Sequence, residues 1–427
     1  MGDAPPPPTL DPWLPRGGYD IVVIGVQECE YTARQPHDTC EADWFSCVQD
    51  HMGRAYVKLA GTSLLSIRLC VLVKRSIYYR ITNIQLDTIA TGIGNVIGNK
   101  GGVGVAFKFD DSSFCFIGSH LAAHQEKTEL RNSNYRDIAA KLKLRALVGR
   151  GRDLDVLNQF DHVFWMGDLN YRIDGLSRQE VLLQASQRNW EALNHYDQLR
   201  LERECGNAFA GFREAHIAFP PTYKYMRGDE YIKDGMREYT EERMRIPSWC
   251  DRILWRNLPD CSVRNDSYNC FDTITTSDHS PVAGTFYVRC ARLPRPSKKA
   301  KFAIHIVQLE CKVDEDKEGT KIHPNILIFG KIFEHEVEAQ KRKGSHVVWD
   351  QGTIPVLYPF IGNYDYISRN HIFFLVRNSA NNNSELGQAV LSMKNISEKE
   401  LDFEAKLYSA GRITGALFGK MKISLEE

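Results

Sequence analysis

The 427-residue sequence carries no net charge, no apolar run as long as a membrane span, no paired cysteine spacing and no internal repeat. Each absence removes a class of protein. Lys plus Arg equals Asp plus Glu at 54 each, so a long basic surface for wrapping nucleic acid is not expected. From Lys298 onward the balance is again 18 basic to 17 acidic residues, so any electrostatics that matter must be local. The eleven cysteines are an odd number without C-x-x-C spacing, and several sit in apolar runs such as SIRLCVLVK and SSFCFIGSH. Reduced, buried thiols fit that pattern better than a disulfide framework. No stretch reaches the roughly 18 apolar residues of a transmembrane helix. The start, MGDAPPPPTLDPWLPRGG, has no apolar signal region, and Pro6 stands where a myristoylation signal needs Ser or Thr. A soluble, cytoplasmic protein is expected. What is present is ordinary globular material: 43% hydrophobic, 25% charged and 11% aromatic, enough apolar content to exclude disorder as the main state.

After a Pro- and Gly-rich loop over residues 1–18, β-like runs alternate with polar helical patterns. The runs are DIVVIGVQE (20–28), SLLSIRLCVLVK (63–74), VGVAFKF (103–109), FCFIGSHL (114–121) and HVFWMGDLN (162–170). Residues 125–148 and 178–205 carry apolar side chains at helical spacing, for example Leu130, Ile138 and Leu142. CDRILWR (250–256) and VAGTFYVRC (282–290) read as later strands. Strands interleaved with helices predict a layered α/β domain. RLPRPSKKAK (292–301) reads as a linker. Beyond it, short apolar runs separated by polar turns predict an all-β sandwich, with NSANNNS (378–384) as a hairpin tip.

Four strand-end segments carry residues suited to hydrolysis of a phosphate ester. VIGVQE ends at Glu28, a carboxylate able to hold Mg2+, which prefers oxygen donors. GSHL places His120 after a strand, where an imidazolium can hydrogen-bond a phosphoryl oxygen. In FWMGDLNYR, Asp168 and Asn170 lie two residues apart and share a face if extended, so both can reach one water. TTSDHSP offers Asp278 and His279, and PSWCDRILW offers Asp251 to fix the His279 tautomer. Each alone is as well read as a turn or a surface charge.

Together and in this order the strings resemble the inositol polyphosphate 5-phosphatase family of the endonuclease/exonuclease/phosphatase superfamily. GNKGGVGVAF (98–107), SHLAAH (119–124), WMGDLNYR (165–172), PPTYKY (220–225), RIPSWCDRILW (245–255) and TSDHSPV (276–282) carry the resemblance over roughly residues 1–290. It implies a two-sheet β-sandwich flanked by helices, four layers in all, over residues 1–291. It further implies Glu28 as Mg2+ ligand, Asp168 activating water with Asn170, and His120 and His279 stabilising the phosphoryl group. Asp251 would orient His279, with Asp278 beside the metal. Substrate contacts would come from Asn99 and Lys100 on one phosphate, from Tyr223, Lys224, Arg243 and Arg245 on the 4-phosphate, and from Arg172. The implied activity is Mg2+-dependent hydrolysis of the 5-phosphate of a phosphoinositide or soluble inositol polyphosphate, the 4,5-bisphosphate fitting best and the 3,4,5-trisphosphate allowed. A DNA-cleaving relative on the same fold fits less well, and no nucleic-acid partner is expected.

Family members place a strand ending in Trp-Asn just before Met-Gly-x-x-Pro-Pro, and Met1–Pro6 match the later part of that string. The second metal ligand, that Asn, is therefore expected to be missing, and a catalytically weak phosphoinositide-binding scaffold is the alternative reading. Residues 302–427 resemble a C2 domain through KFAIHIVQLECKV, WDQGTIPVLYP (349–359), HIFFLVRN and LGQAVLSM (386–393). Asp314, Asp316, Asp350 and Asp365 do not form the acidic set of a calcium-dependent member, so calcium independence is expected. The KRK run (341–343) and the LFGKMK end are candidates for meeting an anionic membrane peripherally, or are solvated charges.

Overall fold

The computed structural model describes residues 1–92, 100–146, 154–233, 235–292, 301–314, 322–333, 335–339, 343–350 and 352–426. Asn99, Asp316, Lys341, Arg342 and most of the expected linker lie outside the described residues. The chain divides into two compact units, one of residues 1–144, 162–256 and 262–290, the other of 145–161, 257–261 and 291–427. Two short internal stretches thus belong with the C-terminal residues. Within that second unit the Asp155 amide donates to Gln388 Oε1 at 3.1 Å, and His371 Nε2 lies 2.7 Å from the Pro259 carbonyl.

The first unit is built on two sheets. One has the order β1 (Ile21–Val26), β3 (Ile67–Lys74), β2 (Tyr56–Leu64). The other runs β4 (Ile81–Ala90), β5 (Gly101–Phe109), β6 (Ser112–His120), β7 (His162–Asp168), β11 (Asp251–Asn257), β8 (Arg213–Glu214). Short pairs β9 (Ile232–Lys233) with β10 (Met236–Arg237), and β12 (Val263–Cys270) with β13 (Val282–Val288), complete it. β3 is apolar on both faces, the pattern of a strand covered on both sides. Leu69, Val71 and Val73 pack on Val103, Val105, Phe107, Phe116 and Phe164 of the larger sheet, while Cys70 and Leu72 face Trp44, Phe45 and Val48 of helix α1 (Cys40–Met52). On the far face of the larger sheet, helix α2 (Thr128–Lys141) approaches so closely that a Cβ on Gly102 would lie 2.8 Å from Ile138. Glycine there lets helix and sheet meet, and the layers read helix, sheet, sheet, helix.

Local readings hold with three differences, one being that the helix expected within 125–148 ends at Lys141 and leaves Leu142 in extended backbone. The run 63–74 is not one strand, because Leu65 turns the chain with φ of 51° between β2 and β3. The stretch 178–205 breaks into helices Arg178–Ser186, Trp190–Asn194 and Gln198–Glu204, since Arg188 takes a φ of 55° and Asn189 and Asp197 act as N-caps.

The second unit is one eight-stranded antiparallel sheet that curls. β14 (Lys301–Val313), β17 (His346–Trp349), β20 (Leu401–Ser409) and β21 (Arg412–Glu426) form one half. β15 (Pro324–Phe329), β16 (Val337–Glu338), β18 (His371–Asn378) and β19 (Ser384–Ser392) form the other. The halves join through β19 and β20 at the single pair Gln388 and Tyr408, and they enclose a core of Ile304, Ile326, Trp349, Phe374, Leu407 and Ile423. The 378–384 segment is the β18–β19 hairpin tip, with Asn382 and Asn383 at φ of 44° and 55°.

Candidate active site

β6 and β7 run parallel, and their last residues, His120 and Asp168, are register partners. Gly167 makes this possible: at φ of 132°, a Cβ there would lie 2.1 Å from the Ser119 carbonyl oxygen. His120 Nε2 sits 3.1 Å from Asp168 Oδ2, with both side chains buried. Gln27, at the end of β1, accepts the Asp168 amide on Oε1 at 3.1 Å and so ties the smaller sheet to this point. The chain then turns through Asn170 at φ of 57°, whose amide donates to Asp168 Oδ1 at 3.0 Å and whose Nδ2 donates to the Leu121 carbonyl at 3.1 Å. Arg172 Nε reaches back to the Asn170 carbonyl at 3.1 Å, and its guanidinium stacks 4.7 Å from the Tyr223 ring.

The neighbouring strand β11 opens at Asp251. Its Oδ2 lies 2.8 Å from His279 Nδ1 and accepts from Thr222 Oγ1 at 2.6 Å, fixing the imidazole from one side. Tyr223 covers the same ring at 4.4 Å between centroids, and Arg245 lies 5.7 Å from Tyr223. Lys100 Nζ contacts His120, with 3.2 Å to Nδ1.

Charges in this cluster are set by one another. Burial opposes ionisation of Asp168, but His120, His279 and Lys100 outweigh it and hold the carboxyl well below the usual range. Burial likewise opposes the His279 cation, yet Asp251, then Asp168 and Asp278, raise it above the ordinary imidazole value. Burial lowers Lys100, against the pull of Asp168 and Glu28.

Asp168, Asn170, His120, Lys100, Arg172, Tyr223, Asp251, His279 and Arg245 are thus brought together. One expected residue stands differently. Arg243 turns its side chain outward at 71% exposure, 4.0 Å from Glu242, because Arg243 and Met244 both adopt left-handed backbone. Asp278 lies 2.9 Å from Arg227 and 3.8 Å from Lys224. His120 is buried behind Asp168 and Lys100, where it braces the carboxylate.

Sequence reasoning missed Gln27, Thr222, Arg227 and Arg237. Arg237 ties down the 274–280 loop through the carbonyls of Ser277 at 2.6 Å and His279 at 3.3 Å and through Ser280 Oγ at 2.9 Å. Arg227 also bonds the Gly2 carbonyl at 2.8 Å. Gln27 and Thr222 lie inside VIGVQE and PTYKY and Arg227 two residues past the latter, while nothing in the sequence pointed to Arg237.

Glu28 is half-buried just beyond β1 with φ of 50°, near enough to Lys100 to favour its charge. Among the described residues no group of three His, Cys, Asp or Glu stands ready to hold a metal. Mg2+ commonly takes one or two carboxylates, several waters and substrate phosphates, so a lone carboxylate such as that of Glu28 suits it. A cavity of about 570 Å3 in this unit runs between β1 and β13 and reaches Gln27, Asp251 and His279. Asp168, His120 and Lys100 do not line it.

Residues 1–285 match the family described as Endonuclease/Exonuclease/phosphatase family 2, and residues 330–420 match the SHIP1/2 second C2 domain. The chain belongs to the endonuclease/exonuclease/phosphatase family, here joined to a C2-type domain. It is 34% identical to phosphatidylinositol 3,4,5-trisphosphate 5-phosphatase 2 of Homo sapiens, over 99% of this chain and 35% of that protein. The 2A protein of Danio rerio is 32% identical over the same shares. The chain therefore spans about a third of the length of these curated relatives. The inositol polyphosphate 5-phosphatase domain of SPsynaptojanin, solved with inositol (1,4)-bisphosphate and calcium ion, is similar at 33% identity and a TM-score of 0.56, covering 67% of this chain and 83% of that one. Cimex nitrophorin, at 21% identity and a TM-score of 0.51 over 66% of this chain and 92% of its own, shares the fold alone.

Proposed function

We propose that residues 1–291 hydrolyse the 5-phosphate of a phosphoinositide by direct attack of water. The observation that carries this reading is the buried Asp168–His120 pair at the joined ends of β6 and β7, facing Asn170, Lys100 and the Asp251–His279 pair. Asp168 stays ionised and accepts the proton of a water that Asn170 helps position. His279, held cationic by Asp251, donates toward the developing phosphoryl charge. Lys100, Arg172, Lys224 and Arg245 surround the rest of the headgroup, where ammonium and guanidinium groups suit phosphate. Glu28 would hold a divalent cation, Mg2+ in this reading, and its charge would offset that of the phosphate. The names of the relatives favour the 3,4,5-trisphosphate as substrate beside the 4,5-bisphosphate. The C2-type residues 302–427 would bring the enzyme to an anionic membrane surface from the cytoplasm, with residues 292–301 as a linker.

Malachite-green assay of phosphate release from short-chain phosphatidylinositol 3,4,5-trisphosphate and 4,5-bisphosphate, with Mg2+ or with EDTA, tests this. Release that requires the metal is expected. Binding of the lipid without release would favour the weak-scaffold alternative.

The raised His279 gives a pH signature. The imidazolium persists above the ordinary histidine value and is lost as pH rises through the raised one, so activity falls on the basic side. Any stability it contributes is lost over the same interval. Asp251→Asn removes the largest raising partner and is expected to move the basic limb of kcat against pH to lower pH. An unmoved limb would take His279 out of the mechanism.

A further inference from the structure

Lys224 is the cation placed to read a substrate phosphate, yet its ammonium already contacts the Glu242 carboxylate, with Asp278 3.8 Å away. Glu242 opens an exposed turn, Glu242–Met244, and its own side chain is 49% exposed. The next two residues, Arg243 and Met244, hold φ of 55° and 49°. Left-handed backbone is unfavourable for a residue with a bulky side chain and persists where neighbouring contacts hold it. Burial does not supply the hold, since the Met244 residue is 62% exposed. Contacts that fasten the turn include the Lys224 ion pair, the Glu242 amide donating to Thr240 Oγ1 at 3.1 Å, and Arg178 donating to the Thr240 and Arg245 carbonyls at 3.1 and 3.2 Å on either side. The hydrogen bond from Lys224 holds Glu242 below the ordinary carboxyl range, so it is charged near neutral pH. Carboxylate and phosphate oxygens compete for the same ammonium protons.

We propose that Glu242 is a specificity-determining residue: it occupies Lys224 as an internal counter-ion, and a substrate must present a phosphate there to displace it. The inference rests on the phosphoinositide reading above and adds a residue to it. A headgroup with a phosphate beside the scissile one takes over Lys224 and releases the turn. A headgroup with the 5-phosphate alone leaves the ion pair standing and gains nothing from Lys224. Glu242 thereby trades affinity for discrimination.

The test is isothermal titration of short-chain phosphatidylinositol 4,5-bisphosphate and phosphatidylinositol 5-phosphate, with EDTA present to prevent turnover. Wild type, E242Q, E241Q, K224M and the K224M/E242Q double variant are compared. E242Q is expected to tighten the bisphosphate about two- to five-fold, the scale of releasing one exposed ion pair. It should change the monophosphate no more than E241Q, which removes the same charge from the exposed neighbour. In the K224M background the E242Q effect should vanish. Equal shifts for both lipids, a bisphosphate shift no larger than that of E241Q, or an effect that survives K224M would overturn the proposal. Wild type binding neither lipid would instead overturn the phosphoinositide reading on which it stands.

Discussion

Asp168→Ala is expected to lower kcat for phosphate release by about 10²–10⁴-fold with little change in KM, the scale of losing a general base. Two neighbouring carboxylates are already engaged: Asp251 is committed to His279 and Thr222, and Asp278 to Arg227. Its carboxyl is held ionised by His120, His279 and Lys100, so the variant removes both the proton acceptor and the anion that these three side chains face. Lipid binding should survive, because Lys100, Arg172, Lys224 and Arg245 remain. A fall in affinity matching the fall in rate would point to collapse of the cleft rather than loss of the base.

The second large effect is on stability. Arg252 is fully buried at the start of β11. Its Nη1 donates to Asp197 Oδ1 and Oδ2 at 3.0 and 2.8 Å, and its Nε and Nη2 each donate to Glu214 at 2.7 Å. Burial raises Asp197, and Arg252 works against that rise. Arg252→Ala leaves two carboxylates buried without their shared cation, a change that costs about 3–5 kcal/mol. A drop in Tm on the order of 10 °C by circular dichroism is expected. A drop of about 1 °C would show that water reaches this network. Because Asp251 is the adjacent residue, activity should fall with the fold and not before it.

Much of the site could be read from the strings because strand-end residues stay where their strands end. Once β6 and β7 lie side by side in parallel, His120 and Asp168 must be neighbours, and Asn170 follows two residues on. The layered α/β unit and the curled all-β unit follow similarly from apolar runs and their spacing. The turn at Leu65–Ser66 carried only a weak signal, one serine inside an apolar run, and the backbone there is set by β2 returning on β3. Nor was the outward Arg243, whose direction depends on two positive-φ residues with no glycine to announce them. The hold of Arg237 on the 274–280 loop and of Glu242 on Lys224 joins residues whose proximity comes from tertiary structure, 40 and 18 positions apart. The assignment of 145–161 and 257–261 to the second unit is equally invisible in sequence order.

The most direct measurement is product analysis after incubating the wild-type chain, with Mg2+, separately with short-chain phosphatidylinositol 3,4,5-trisphosphate and 3,4-bisphosphate. A cleft that presents Asp168 and His279 to one phosphate while Lys224 and Arg245 hold its neighbour should convert the first lipid to the second and leave the second intact. Release of phosphate from the 3,4-bisphosphate at a comparable rate, or from neither lipid, would contradict the account.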